Sequence, residues 1–131
     1  MSKRVLIIQR RMTEYRVPLF ERMRRSLAGD GVKLQVVYGT PTVSEALKHD
    51  EGLLPWGVKV PCHYLNIGNI QMVWQLVSHA LLAKQDLIIV PHENQMLLNY
   101  WLLLRRCFSN LRLAFWGHGA NFQTAKPNSY R

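Results

Sequence analysis

Two runs of four residues, Val5-Leu-Ile-Ile8 and Leu87-Ile-Ile-Val90, contain no polar side chain. A strand with one wet face alternates polar and apolar residues, whereas an unbroken apolar run suits a strand covered on both faces, as in parallel sheets. Val5 to Ile8 is expected to be the central strand. Lys33 to Tyr38 reads as a second strand ended by Gly39 and Pro41. Val58 to Leu65 reads as a third, which Pro61 pushes to a sheet edge or a bulge. Leu87 to Val90 and Leu111 to Trp116 complete the set.

Helical signals fall between these runs. Pro18 suits a first helical position, where its missing N–H would be unpaired anyway. Phe20, Met23 and Leu27 follow at helical spacing, with Arg22, Arg24 and Arg25 turned outward and Gly29 and Gly31 as stops. Ile70 to Ala83 is predicted helical, because Ile70, Val73, Trp74, Val77 and Leu81 form one stripe opposite Gln71, Gln75 and Ser78. Met96 to Arg106 is apolar nearly all round before Arg105 and Arg106, so its helix is deeply packed, rests on lipid, or is covered by something else. Alternation of strands with helices predicts an α/β fold: one domain over residues 1–131, with a parallel sheet, right-handed crossovers and helices on both faces. The long polar connection from Thr40 to Gly57, broken by Pro41, Gly52, Pro55 and Gly57, has the length of a functional loop.

Charge narrows the partners. The chain carries 17 Lys and Arg against 8 Asp and Glu, a net charge of +9. That excess suits phosphates, anionic lipid or nucleic acid, and equally a solvated charged face. It is concentrated at the front, where Lys3, Arg4, Arg10, Arg11, Arg16, Arg22, Arg24 and Arg25 meet only Glu14 and Glu21. Cys62 and Cys107 form no C-x-x-C pair, which argues against a disulfide framework or a zinc site and for reduced thiols in the cytoplasm. The first apolar run is too short for a signal peptide, and Met96 to Leu104 falls well short of the ~20 residues that cross a bilayer. The phosphate-cradling G-x-x-x-x-G-K-[ST] loop, the G-x-G-x-x-G dinucleotide fingerprint and the G-x-S-x-G hydrolase elbow are all missing.

In open α/β sheets a ligand lies outside the carboxyl ends of the strands. Three polar clusters fall there: Gln9-Arg10-Arg11, His92-Glu93-Asn94, and Gly117-His118-Gly119-Ala120-Asn121. A single polar loop can serve solubility alone, but three on neighbouring strands are within reach of one small ligand. The glycines beside His118 permit positive φ and close backbone approach, and an imidazole there can donate or accept near neutral pH. The alternative is a loop histidine bonded to a nearby carbonyl. His92 and Glu93 could instead be a supporting pair or a helix-start acid favoured by the dipole. His49, His63 and His79 lack such a setting and match no metal-ligand spacing, so they are read as structural.

Tyr15-Arg-Val-Pro-Leu-Phe-Glu21 after the first strand, Val36-Val-Tyr-Gly39, Leu87-Ile-Ile-Val-Pro91 and Ala114-Phe-Trp-Gly-His-Gly-Ala-Asn-Phe-Gln123 occur in order along nearly the whole chain. Together they resemble the N-terminal domain of GT-B glycosyltransferases of the family 4 type. The resemblance implies a Rossmann-like domain that receives the acceptor, facing a second Rossmann-like domain that binds a nucleotide sugar. It implies transfer with retention of configuration, with no metal and no resident cofactor, often at the cytoplasmic membrane surface on lipid-linked, cell-envelope or glycan acceptors. By the same resemblance His118 faces the donor sugar and helps hold charge in an oxocarbenium-like transition state. Gln9, Arg10, Arg11, Tyr15 and Arg16 would line the acceptor side, and His92, Glu93, Asn94, Gly117, Gly119 and Asn121 would border donor or acceptor. The family's glycine pair after the first strand is replaced here by Gln9 to Thr13, and the spaced glutamate pair of the donor domain does not occur. The polar stretch Gln123 to Arg131 reads as cut rather than finished, so the donor domain is expected to be missing and this chain alone inactive. The expected partners are the nucleotide sugar, its acceptor, the missing domain and an anionic membrane surface, with no nucleic acid. Two other readings stand beside this one: a non-catalytic basic module binding anionic lipid or nucleic acid, and a small flavodoxin-like domain.

Overall fold

The computed structural model describes residues 3–93 and 95–117. Strand β1 (Lys3–Gln9) leads through a 3-10 turn (Glu14–Arg16) into helix α1 (Val17–Gly29) and strand β2 (Val32–Gly39). A one-turn helix α2 (Val43–Ala46) precedes β3 (Val58–Val60), β4 (Cys62–Ile67) and β5 (Ile70–Gln75). Helix α3 (His79–Ala83), β6 (Leu87–Pro91), α4 (Leu97–Arg106) and β7 (Leu113–Trp116) follow.

Five strands form one sheet in the order β3-β2-β1-β6-β7, with every neighbouring pair parallel. The two unbroken apolar runs lie side by side at its centre, Val5 opposite Leu87 and Leu6 opposite Ile88. Period-two alternation sends Leu6 and Ile8 to one face, with Val37, Ile88 and Val90, and Ile7 to the other, with Leu34 and Val36. Helices cover both faces. Phe20 of α1 closes the face of Ile7, and Leu82 of α3 with Leu98 and Leu102 of α4 closes the face of Leu6. Each of these buried aliphatic or aromatic side chains stabilises the fold by roughly 1.5–3 kcal/mol, which is why the runs Val5 to Ile8 and Leu87 to Val90 carry no polar side chain. The chain is therefore a parallel α/β domain of Rossmann-like architecture.

The structure corrects two expectations. Ile70 to Ala83 is not one helix: Ile70–Gln75 is strand β5, antiparallel to β4, and only His79–Ala83 is helical. Gly68, at φ +60°, makes a turn that brings Ile67 opposite Ile70. The helical stripe placed Gln75 on the wet side, yet Gln75 is fully buried and its amide donates to the Gln9 carbonyl at 3.0 Å. Backbone ties that a helix could not make complete the change: Val73 N–H donates to the Gln95 carbonyl at 2.9 Å. The predicted strand from Val58 to Leu65 is likewise two. Pro61 ends β3, which holds the sheet edge beside β2, and β4 leaves to pair with β5. Among the described residues no helix is long and apolar enough to cross a membrane.

Candidate functional site

Parallel pairing sets the C-terminal ends of β1, β6 and β7 side by side, with β6 in the middle. The loops that begin at Arg10, at His92 and at Gly117 therefore start from one sheet edge. Arg10 Nε lies 3.6 Å from the Glu93 carboxylate, and His92 N–H donates to the Trp116 carbonyl at 2.9 Å. The His92 ring meets the Phe115 ring edge-on at 5.8 Å. A Cβ on Gly117 would stand 3.0 Å from His92 Cβ, so glycine lets the two strand ends close up. Asn94, His118, Gly119 and Asn121 lie outside the described residues.

Two recesses open along this edge. A cavity of about 470 Å³ is lined by His92, Glu93, Asn99, Tyr100, Leu103, Phe115 and Gly117. A smaller one of about 160 Å³ is lined by Gln9, Arg10, Arg11, Tyr15, Arg16 and Glu93, among others. Glu93 borders both. The larger has the volume of an ordinary small-molecule site, with aromatic walls and a few polar groups that could fix orientation.

Electrostatics at the smaller recess differ from what the charge count suggests. Arg10 Nη1 and Nη2 donate to both oxygens of Glu45 at 2.7 and 2.5 Å, and Nη1 also donates to the Tyr64 hydroxyl at 3.2 Å. Arg11 Nη2 donates to Asp50 at 2.5 Å, Nε donates to Glu51 at 2.8 Å, and Nη1 stands 3.6 Å from Glu45. Of the chain's 8 acidic residues, Glu45, Asp50, Glu51 and Glu93 thus surround two arginines. The hydrogen bonds from Arg10 hold the Glu45 carboxyl down at about 2, against some opposition from burial and with help from the Thr42 N–H. The same Glu45 contact raises the Arg10 guanidinium above its ordinary value, outweighing burial. At Arg11 burial pulls downward, and the bonds to Asp50 and Glu51 overcome it. Burial pushes the Tyr64 hydroxyl and the Cys62 thiol upward. The site edge is therefore locally neutralised, and the positive excess lies elsewhere, including the exposed Arg22, Arg24 and Arg25 of α1.

Tyr15 is exposed at the recess rim, and Arg16 Nη1 donates to the Gln9 side-chain oxygen at 2.6 Å. Of the remaining histidines, His79 Nδ1 meets Arg105 at 3.1 Å and His49 ends the turn after α2 at φ 56°, so neither joins this edge. Among the described residues no group of three or more His, Cys, Asp or Glu is placed to hold a metal ion.

Four residues matter here that were not singled out from the sequence. Gln75 and Asn99, both buried, pin the ends of the central strands: Gln75 donates to the Gln9 carbonyl, and Asn99 Nδ2 donates to the Pro91 carbonyl at 2.7 Å. Tyr64 donates to the Thr40 carbonyl at 2.6 Å while accepting from Arg10, which fastens the hairpin to the site. Glu45 had a legible signal, since Thr42-x-x-Glu45 is a capping-box pattern. Its carboxylate does accept from Thr42 N–H at 3.0 Å, and Thr42 Oγ1 accepts from Glu45 N–H at 3.2 Å. The same carboxylate then serves both cap and ion pair. Comparison with models of protein families, with curated proteins and with solved structures finds no match to this chain.

Proposed function

We propose that this domain is the acceptor-side half of a retaining GT-B sugar transferase, which takes a glycan or lipid-linked acceptor while a second domain supplies the nucleotide sugar. The observation that carries the reading is the cavity between the ends of β6 and β7, bordered by His92, Glu93, Asn99, Tyr100, Phe115 and Gly117. Aromatic faces beside a carboxylate and an imidazole suit a polyhydroxyl ligand, whose C–H face stacks while its hydroxyls donate and accept. Arg10 and Arg11, already held by carboxylates, support the loop rather than bind a charged ligand, so the acceptor end is expected to be an uncharged sugar. Glu93 accepts from an acceptor hydroxyl, and His118 hydrogen-bonds the donor sugar and disperses charge as the glycosidic bond breaks. No resident cofactor enters this scheme. In this scheme the nucleotide sugar is bound by a second domain, and the complete enzyme works in the cytoplasm.

Binding is the property to test on the chain as it stands. Saturation-transfer NMR against a panel of neutral oligosaccharides should give ring-proton signals that weaken about fivefold or more in Glu93→Ala, the loss of one charged hydrogen bond. The absence of any bound saccharide across the panel, or signals indifferent to Glu93→Ala and Phe115→Ala, would overturn the reading.

A further inference from the structure

Strand β2 is paired along the whole of one side and only part of the other. Its neighbour β1 runs beside it from Val32 to Tyr38, whereas β3 meets it at Val37, Tyr38 and Gly39 alone. The ladder fixes which backbone groups are left over. Lys3 N–H donates to the Gly31 carbonyl at 3.1 Å, so Gly31, Lys33 and Gln35 turn their backbone groups toward β1. Val32, Leu34 and Val36 turn theirs the other way, and the Val36 carbonyl lies 3.2 Å from where a Cβ on Gly57 would stand, just before β3. Upstream of that point no strand of the described residues adjoins Val32 or Leu34. A recess of about 500 Å³ opens there instead, bounded by Gly31 to Gln35, by Arg24 and Ala28 of α1, and by Trp56. Leu34 buries its side chain in the core yet still borders the recess. The open length, Val32 to Gln35, is that of four extended residues, roughly 13 Å.

The walls favour one kind of occupant. Trp56 is fixed in place: its Nε1 donates to Glu21 at 3.0 Å, and Arg24 lies over its ring, 4.9 Å from the centre. Arg24 and Lys33 are the charged residues of the lining. Lys33 stands directly opposite Arg4 of β1, and like charges so placed repel until an anion joins them. Among the described residues no carboxylate pairs with the side chain of Arg4, Lys33 or Arg24. Asp86 takes the Arg4 backbone N–H at 2.7 Å, Glu21 is committed to Trp56, and Asp30, next to Gly31 in the chain, does not line the recess. A lysine on an open edge repels a strand like its own, so a second copy, bringing the same cations, is a poor occupant. The same charges draw in an acidic strand.

We propose that β2 accepts an extended acidic segment of another protein as an added strand along Val32 to Gln35, upstream of β3. The backbone groups of Val32 and Leu34 supply the ladder. Side chains of the segment alternate between the two faces of the sheet, an apolar one resting against Ala28 and Trp56 and a carboxylate beside Lys33. This surface lies at the N-terminal end of the sheet, away from the His92 cavity at the other end, so it is independent of saccharide binding.

The test is an NMR titration of the isotope-labelled whole chain with a capped hexapeptide of alternating glutamate and valine, up to about 1 mM. The amide peaks of Val32 to Gln35 and the Trp56 indole N–H should shift saturably, and high salt should weaken the binding. Lys33→Gln, at an exposed position, should weaken it about fivefold, the loss of one partly screened ion pair. Peptides N-methylated at every second amide, one for each phase, separate strand pairing from attraction of charge: one phase should bind as the parent does and the other should fail. Absence of shifts overturns the proposal, as does binding indifferent to Lys33→Gln, equal binding of a lysine–valine peptide, or equal binding of the two N-methylated peptides. It is also overturned by a dimer in sedimentation that the peptide dissociates, which would assign the edge to a second copy. Displacement of the peptide by an oligonucleotide that shifts the same peaks would overturn it too, assigning the cations to nucleic acid.

Discussion

Glu45 offers the most direct physical test of how the site edge is held. Replacing it with Gln keeps an oxygen for the Thr42 N–H but removes the charge opposite Arg10, which lies 2.5 Å away at its nearest. The two side chains are 15% and 17% exposed, between the fully buried and the surface cases. A broken buried pair costs about 3–5 kcal/mol and an exposed one about 0–1, so a loss of about 2 kcal/mol is expected. With an m-value of about 1.5 kcal/mol/M in urea, that lowers the unfolding midpoint by roughly 1.3 M. The pH dependence follows from the sign of the shift. Because the folded carboxyl titrates at about 2, below its ordinary 4.5, the unfolded chain binds the proton first as acid is added. The contribution is complete above about 4.5 and disappears as pH falls through about 2. Urea titrations of wild type and Glu45→Gln at a series of pH values should therefore converge toward the acid end. A difference that is absent at neutral pH, or one that persists undiminished below the folded value, would refute the reasoning.

Two further outcomes follow from packing and exposure. A Cβ on Gly39 would collide with Cys62 Sγ and stand 2.5 Å from the Arg10 carbonyl, so Gly39→Ala should destabilise by about 2–3 kcal/mol, read as a lowered melting temperature. Cys107 is exposed whereas Cys62 is half-buried with its thiol pushed upward, so brief iodoacetamide treatment at neutral pH should label Cys107 first by mass spectrometry; equal labelling would contradict the described packing.

What the sequence revealed depended on how local each signal was. Val5 to Ile8 and Leu87 to Val90 announced themselves because a doubly covered strand admits no polar residue, and α1 did so through Pro18, Phe20, Met23 and Leu27. The hairpin stayed hidden because Ile70, Val73 and Trp74 satisfy a helical stripe as well as a strand, and burial of Gln75 depends on a carbonyl 66 residues away. The sheet-edge rule found the Arg10 and His92 loops, since it needs only the strand ends. It could not foresee that Arg10 and Arg11 are neutralised, because their carboxylates stand 35 to 40 residues downstream in a connection with little pattern of its own.

Asn99 gives helix α4 a second consequence. Its amide grips the carbonyl of Pro91, the last residue of β6, one step before His92. Leu104, five residues along the same rigid rod, faces away from the sheet. A load applied to the outside of α4 is thus delivered to the end of β6 through the Asn99 amide and through Leu98 and Leu102, which pack against Ile88 and Val90. Thermodynamic linkage makes the lever work in both directions: whatever settles in the cavity and shifts the end of β6 also alters how firmly α4 is seated.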